Sequence, residues 1–243
     1  MTKYHAIRDQ LLDRLDTMAA GEPLPAERDL VRELGVSRMT LRRATDELVA
    51  SGLVRRRPGV GVFAIGPKLD TTLSATSFTE DMRARGLRPG SVILDFVRRA
   101  AGARIGRRLE VSPTAEVVHV TRLRLADDEP MSIEALYVPE MTVPGLSVAD
   151  LENASFYELL RTRYDVTIAR GVQTIEPTVT DDEESRELGV PVHSPALLFE
   201  RTSWNAEGSV TEFVRSIYRG DRYQIRTELS LQQSDSAASR ARR

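Results

Sequence analysis

The 243-residue chain has no cysteine. That excludes a disulfide framework, a thiolate metal site and a cysteine nucleophile, and it fits a reducing compartment. No apolar run approaches the roughly 20 residues that cross a bilayer. The first segment, MTKYHAIRDQLLDRL, sets Asp9 and Asp13 among its apolar residues, a pattern foreign to signal and transit peptides. The expectation is a cytoplasmic protein that does not enter a membrane. His5, His119 and His193 are well separated and in no metal-ligand spacing, and neither a G-x-S-x-G elbow nor a Walker-type glycine loop occurs. No metal, cofactor or catalytic residue is expected, and no internal repeat of usable length is found.

What is present is a globular composition, 41% hydrophobic and 29% charged, on a chain long enough for one large or two ordinary domains. The net charge of −2 conceals an asymmetry. Residues 1–68 hold 12 basic and 9 acidic side chains, a balance of +3, and the remainder carries −5. Within 37–61, SRMTLRRATDELVASGLVRRRPGVG, six arginines stand against Asp46 and Glu47. Such a split points to a small unit facing a polyanion and a larger one that does not.

The first third reads as helices followed by a hairpin. Tyr4, Ile7, Leu11, Leu12, Leu15 and Met18 form one helical stripe, which Gly21 stops. In LPAERDLVRELG, Pro25 suits a helix start, Leu30, Val31 and Leu34 line one face, and Gly35 supplies a left-handed exit. Ser37 is an N-cap for a further helix that Gly52 closes, and so tight a connection makes a helix-turn-helix. On that helix Leu41, Ala44 and Leu48 fall within about 40° of one another and face inward, leaving Arg38, Met39, Arg42 and Arg43 outside. A charged helix face is most often merely solvated. The N-terminal end of the second helix of a helix-turn-helix, however, enters the major groove, where arginine bonds guanine bidentately. LVRRRPGVGVFAIG then reads as a basic β-hairpin wing turning at Pro-Gly-x-Gly, with Arg55, Arg56 and Arg57 beside phosphates.

The stretch LPAERDLVRELGVSRMTLRRATDELVASGLVRRRPGVGVF resembles the winged-helix signature of the GntR family of bacterial transcription regulators. The resemblance implies that Arg28, Ser37, Arg38, Thr40, Arg42 and Arg43 touch phosphates or bases and that Gly59 and Gly61 form the wing tip. Met39 departs from it, standing at a groove-facing position where relatives often carry a polar residue.

Residues 66–74, GPKLDTTLS, read as a polar linker. Beyond it the pattern predicts strands at 92–99, 116–126, 131–138 and 166–179 and helices at 155–164 and 181–189. A hairpin over 196–220 turns at Asn205 to Ser209, and a closing strand covers 223–231. The tail QQSDSAASRARR reads as disordered. Many strands around few helices argue an α+β fold on a mostly antiparallel sheet. The domains expected are 1–65, DNA-binding; 75–231, effector-binding and dimerising; and a tail, 232–243. Arg122 and Arg124 lie two apart and share a strand face. That face is a solvated surface or a clamp for phosphate or carboxylate, and Glu134 lies within reach across the DDEP turn. Ser155 caps a helix, Glu212 and Tyr218 share a face, and His119, facing away from Val118 and Val120, reads as a surface or satisfied histidine.

TSFTEDMRARGLRPGS, RLRLADDEPMSIE, SFYELL and VRSIYRGDRY resemble the UTRA effector domain of the HutC subfamily of GntR regulators, whose fold is similar to chorismate lyase. SFTEDMRARG and YRGDRY look closest to members answering to phosphorylated amino sugars such as N-acetylglucosamine-6-phosphate. The resemblance implies that Ser77, Phe78, Arg122, Arg124, Ser155 and Tyr157 surround the phosphate and that Glu134, Glu212 and Tyr218 take the sugar hydroxyls. Other members answer to carboxylates such as urocanate. The expected protein is a homodimeric repressor of a palindromic double-stranded DNA operator, released by a small anionic metabolite. The alternative is a chorismate-lyase-like enzyme, in which a winged helix would be idle.

Overall fold

Ser37 shows how local chemistry begins the N-terminal unit. Its hydroxyl accepts the Thr40 N–H at 3.2 Å from an extended backbone, and Gly35 just before it adopts φ 62°. Cap and left-handed exit together allow α2 (Glu27–Leu34) to hand over directly to α3 (Arg38–Ala50), forming the helix-turn-helix. With α1 (Lys3–Leu15), these helices bury Ile7, Leu11, Leu30, Leu41, Ala44 and Leu48 in one core. Gly52, at φ 67°, turns the chain into the antiparallel hairpin β1 (Val54–Arg57) and β2 (Gly61–Ala64). Val54 on its inner side closes that core.

This computed structural model describes residues 3–19, 21–65, 69–71 and 77–225. The Tyr4 side chain, most of the expected linker and the expected tail lie outside them. Within the linker stretch, β3 (Leu69–Thr71) is a strand paired in parallel with β10 (Tyr223–Ile225), so these residues are not a free polar connection. The expected closing strand at 223–231 is corrected by the same pairing. Its described part joins β3 in a separate two-stranded sheet and does not close the large one.

The larger unit is a six-stranded sheet in the order β4-β5-β6-β9-β8-β7, every neighbouring pair antiparallel. Its strands are β4 (Pro89–Ala100), β5 (Glu116–Ala126), β6 (Glu129–Pro139), β7 (Ile168–Val179), β8 (Pro195–Asn205) and β9 (Val210–Arg219). The expected α+β fold on an antiparallel sheet is what the structure has. Asp127 and Asp128 both have positive φ at the β5–β6 tip, the condition for a two-residue turn matching strand twist.

Helices cover both faces. Under α6 (Phe156–Arg163), Phe156 and Leu160 pack on Val118, Val120, Leu136, Val138 and Val214. Nearby, α4 (Phe78–Ala84) places Phe78 and Met82 against Met131 and Tyr223. On the opposite face α5 (Gly102–Leu109) seats Leu109 on Val117 and Phe213, and α7 (Asp182–Leu188) seats Leu188 on Leu123 and Ile217. Leu123 is thus buried on the face opposite Val118 and Val120, because its parity differs from theirs. Among the described residues no helix is long and apolar enough to cross a membrane.

Candidate functional site

Two surfaces gather the residues that carry chemistry. The first is formed by α2, α3 and the wing, which border a groove of about 650 Å³. Arg28 and Arg38 are exposed, with no hydrogen bond or ion pair among the described residues. Arg43 is also exposed, and Met39, 80% exposed, projects beside them. Ser37 and Thr40 are joined to each other through their hydroxyls at 2.9 Å.

The other arginines are not all free for a polyanion. Arg42 donates from Nε to both carboxylate oxygens of Glu27, at 3.0 and 3.1 Å, and this partner raises its pKa. Arg56 pairs with Asp46 at 2.7 Å and Arg57 lies 4.8 Å over the Phe63 ring. Exposed pairs of this kind are worth only about 0–1 kcal/mol and exchange readily for phosphate. Arg55 differs. It turns away from the groove to bind Glu129 of the larger unit. Strand alternation sends Arg55 to the face of the wing opposite Arg56, so in this arrangement Glu129 stands where a phosphate was expected. Gly59 and Gly61 sit at the tip with φ 73° and 146°, backbone that residues with a Cβ rarely adopt.

The second surface is a cleft between the α4 and α6 ends of the sheet, and its small size is informative. Its volume is about 20 Å³, space on the order of one water molecule. Ser77, Phe78, Arg122, Arg124, Glu134, Tyr157 and Glu212 line it. Ser155 joins them by a hydrogen bond to Ser77, 3.3 Å between hydroxyls. Each of these serines also caps a helix, Ser77 accepting from the Glu80 N–H and Ser155 from the Glu158 N–H. Of the expected residues, Ser155 reaches the cleft only through Ser77, and Tyr218 does not line it. That tyrosine shares the sheet face of Glu212 but lies six residues along β9, packed on Phe199 and Tyr223.

Antiparallel register explains the pairs. Arg122 stands directly opposite Glu134, and its Nε donates to Oε1 at 2.8 Å. Ser203 stands opposite Glu212 and donates to it at 2.9 Å, as Tyr157 does at 2.6 Å. The reading of a solvated arginine face fails, since Arg122 and Arg124 are each 3% exposed. Arg124 lies 4.6 Å over the Phe78 ring and donates to the Thr79 hydroxyl at 2.9 Å, while its Nε and Nη1 are buried without a partner among the described residues.

Electrostatics follow from burial. Desolvation, reinforced by neighbouring Arg122, lowers the Arg124 pKa to about 10, so the guanidinium remains charged at neutral pH. Burial pushes Glu134 upward, but Arg122 and Arg124 outweigh it and hold the carboxyl below its ordinary range. Burial and the adjacent Glu212 push the Tyr157 phenol well up, keeping it a neutral donor.

Sequence reasoning missed Arg201 and Thr79, which also line the cleft. Arg201 lies 3.7 Å from Glu212 and 5.5 Å from the Tyr157 ring centre, with Nε buried and unpartnered. Its signal was its spacing: two residues before Ser203 on the hairpin facing Glu212. The cleft therefore presents three guanidinium groups against two carboxylates, a buried cationic site suited to an anion with hydroxyl or amine donors beside it. His119 faces the opposite side of the sheet, stacked on Tyr137 at 4.4 Å; its Nδ1 lies 3.7 Å from Asp95 and makes no hydrogen bond. It is therefore neither a surface residue nor a fully satisfied one. Among the described residues no group of three or more His, Asp or Glu side chains could hold a metal.

Comparison with known proteins agrees with this geometry. Residues 3–64 match the family described as bacterial regulatory proteins, gntR family, and residues 84–224 match the UTRA domain. The HTH-type transcriptional repressor NagR of Bacillus subtilis is 35% identical over 223 residues, 90% of this chain and 91% of that one. The HTH-type transcriptional repressor PhnF of Mycolicibacterium smegmatis is 33% identical over 220 residues, 90% of this chain and 89% of that one. The crystal structure of PhnF from Mycobacterium smegmatis matches with a TM-score of 0.65 at 30% identity, over 93% of this chain and 100% of that chain. The chain belongs to the GntR family of bacterial regulatory proteins, in the group that carries a UTRA domain, and it is a DNA-binding transcriptional repressor, not an enzyme.

Proposed function

We propose that this repressor acts in the cytoplasm as a homodimer on a palindromic operator and is released by a small anionic metabolite, in first place a phosphorylated amino sugar such as N-acetylglucosamine-6-phosphate. The observation that carries the anion is Arg124, which keeps two guanidinium nitrogens buried and unpartnered among the described residues at the cleft. Leaving such donors dry and unsatisfied is costly, and a phosphate or carboxylate would satisfy them bidentately. Ser77, Ser155 and Tyr157 lie where they would complete the anion's shell. Glu134 and Glu212 are acceptors for hydroxyl or amine groups, which favours a sugar over a simple carboxylate.

A cleft of about 20 Å³ admits no sugar, so binding requires the α4 and α6 ends to part. The ligand favours the opened state by its differential affinity for it, and only that difference moves the repressor off DNA. On DNA, α3 would lie in the major groove with Arg38 and Arg42 at base edges, and Met39 would offer an apolar end to a thymine methyl. Two winged helices joined through the larger units would match half-sites one helical turn apart.

The test compares Arg124→Ala with the wild type on an operator selected from random duplexes. The expected outcome is near-normal DNA affinity with no release by N-acetylglucosamine-6-phosphate. Release of the variant at the wild-type ligand concentration would show that the anion is held elsewhere.

A further inference from the structure

Glu129 begins β6 at the tip of the β5–β6 hairpin, and its carboxylate is the meeting point of three arginines. Arg55 reaches it from the wing and Arg222 from the β9–β10 turn, while Arg219 Nη1 lies 3.5 Å away. Arg219 is 3% exposed and held in place by Asp221 at 2.7 Å and by the Pro130 carbonyl at 2.8 Å. Arg222 also donates to the carbonyl of Ile65, just beyond the wing. The turn after α3 presses on the same place, where a Cβ added to Gly52 would stand 2.5 Å from the Cβ of Asp221. Winged helix and effector unit therefore meet around the Glu129 carboxylate.

We propose that Glu129 is a latch: it docks the winged helix on the effector unit by withdrawing Arg55 from DNA, so that the docked arrangement is the one released from the operator. This rests on the DNA-binding role of the winged helix and is independent of which metabolite fills the cleft.

Charge balance makes Glu129 the critical member. Among the described residues these three arginines meet two carboxylates, Glu129 and Asp221, so removing one leaves closely spaced cations with a single counter-ion. Burial and Arg219 lower the pKa of Arg55, and burial and Arg55 lower that of Arg222 to about 10. A phosphate is the natural competitor for such a group. The hairpin also gives the latch a connection to the cleft. Arg124 lies five residues before Glu129 on β5, and Glu134 lies five after it on β6. A ligand that draws on Arg124 and Glu134 pulls on both strands leading to the latch.

The decisive variant is Glu129→Gln in the full chain, which removes the charge and keeps the shape. On an operator selected with the wild type, without any added ligand, binding is expected to tighten several-fold. The salt dependence should steepen by about one counter-ion per winged helix as Arg55 gains a phosphate. Adding Arg55→Ala should cancel both gains. A second measurement does not involve DNA. The chain has no cysteine, so spin labels at the exposed positions Val60→Cys and Met141→Cys report the distance between units. The distribution should be narrow in the otherwise wild-type chain and broad with Glu129→Gln. Unchanged affinity and salt slope, or an unchanged distance distribution in a variant that unfolds at the wild-type temperature, would overturn the latch. A wild-type chain that selects no duplex would instead overturn the DNA reading beneath it.

Discussion

Arginine does most of the chemistry in this protein, and its surroundings decide which task each one has. Arg38 is exposed at the start of the reading helix, with no ion pair among the described residues, whereas Arg42 must exchange Glu27 for a base or phosphate. Replacing either with Ala is expected to weaken operator binding about ten- to a hundredfold where the contact is to a base, and to relax sequence preference there. Anisotropy titrations against single-base variants of the operator check this. Arg124 has the opposite environment, buried with Nε and Nη1 lacking a partner among the described residues, and its charge persists far above neutral pH because its pKa falls only to about 10.

The pH dependence of metabolite binding follows from the same groups. Glu134 is held ionised below its ordinary range by Arg122 and Arg124. A carboxyl with a depressed folded pKa keeps its stabilising contribution above the unfolded value and loses it only as pH falls through the depressed one. Between pH 5 and 8 Glu134 therefore keeps its charge, while a phosphate monoester gains its second charge near pH ~6. Calorimetric titration with N-acetylglucosamine-6-phosphate should show affinity rising from pH 5 to 7 and then levelling. A carboxylate ligand would give a flat profile instead.

Among the elements, those resting on local chemistry were legible before any coordinates. Ser37, Gly35 and Gly52 punctuate the helix-turn-helix, and apolar spacing placed Leu41, Ala44 and Leu48 inside. The strands β5 and β6, the cap at Ser155 and the helix over 181–189 were readable for the same reason. The helix α4 escaped notice although SFTE is itself a capping box, Ser77 and Glu80 each bonding the other's backbone. Its seven residues are too few for apolar periodicity to show. The helix α5, with glycine at both Gly102 and Gly106, carries little helical propensity and depends on packing. The fate of β10 was illegible because Tyr223 to Ile225 suit any sheet edge, and only the position of β3 selects one. In the cleft, parity within one strand revealed Arg122 and Arg124. Arg201 required the register between β8 and β9, and the withdrawal of Arg55 required knowledge of how the two units meet.

One element-level consequence concerns Gly52. With φ 67° and Asp221 directly in the path of any Cβ, Gly52→Ala should strain the turn and separate the docked units. In thermal unfolding the expected outcome is a loss of more than about 1 kcal/mol, opposite in sign to the gain of about 0.4–1 kcal/mol that glycine-to-alanine brings at a strain-free site. A neutral result would mean that the junction yields freely.

At the scale of the whole molecule, the charge asymmetry of the sequence becomes a division of labour. One small basic unit faces DNA, and one larger acidic unit keeps a cluster of arginines buried inside it. The hairpin that lines the cleft also reaches the wing through Glu129, so the proposed ligand site and the proposed latch share a structural element. The most direct measurement is competition anisotropy at moderate ionic strength. A duplex selected by the protein is titrated against random competitor DNA, with and without N-acetylglucosamine-6-phosphate. The prediction is a strong preference for the selected duplex that the sugar phosphate abolishes in the wild type and leaves intact in Arg124→Ala. Equal affinity for selected and random DNA would contradict the reading of the winged helix, and a preference unmoved by the sugar phosphate would contradict the reading of the cleft.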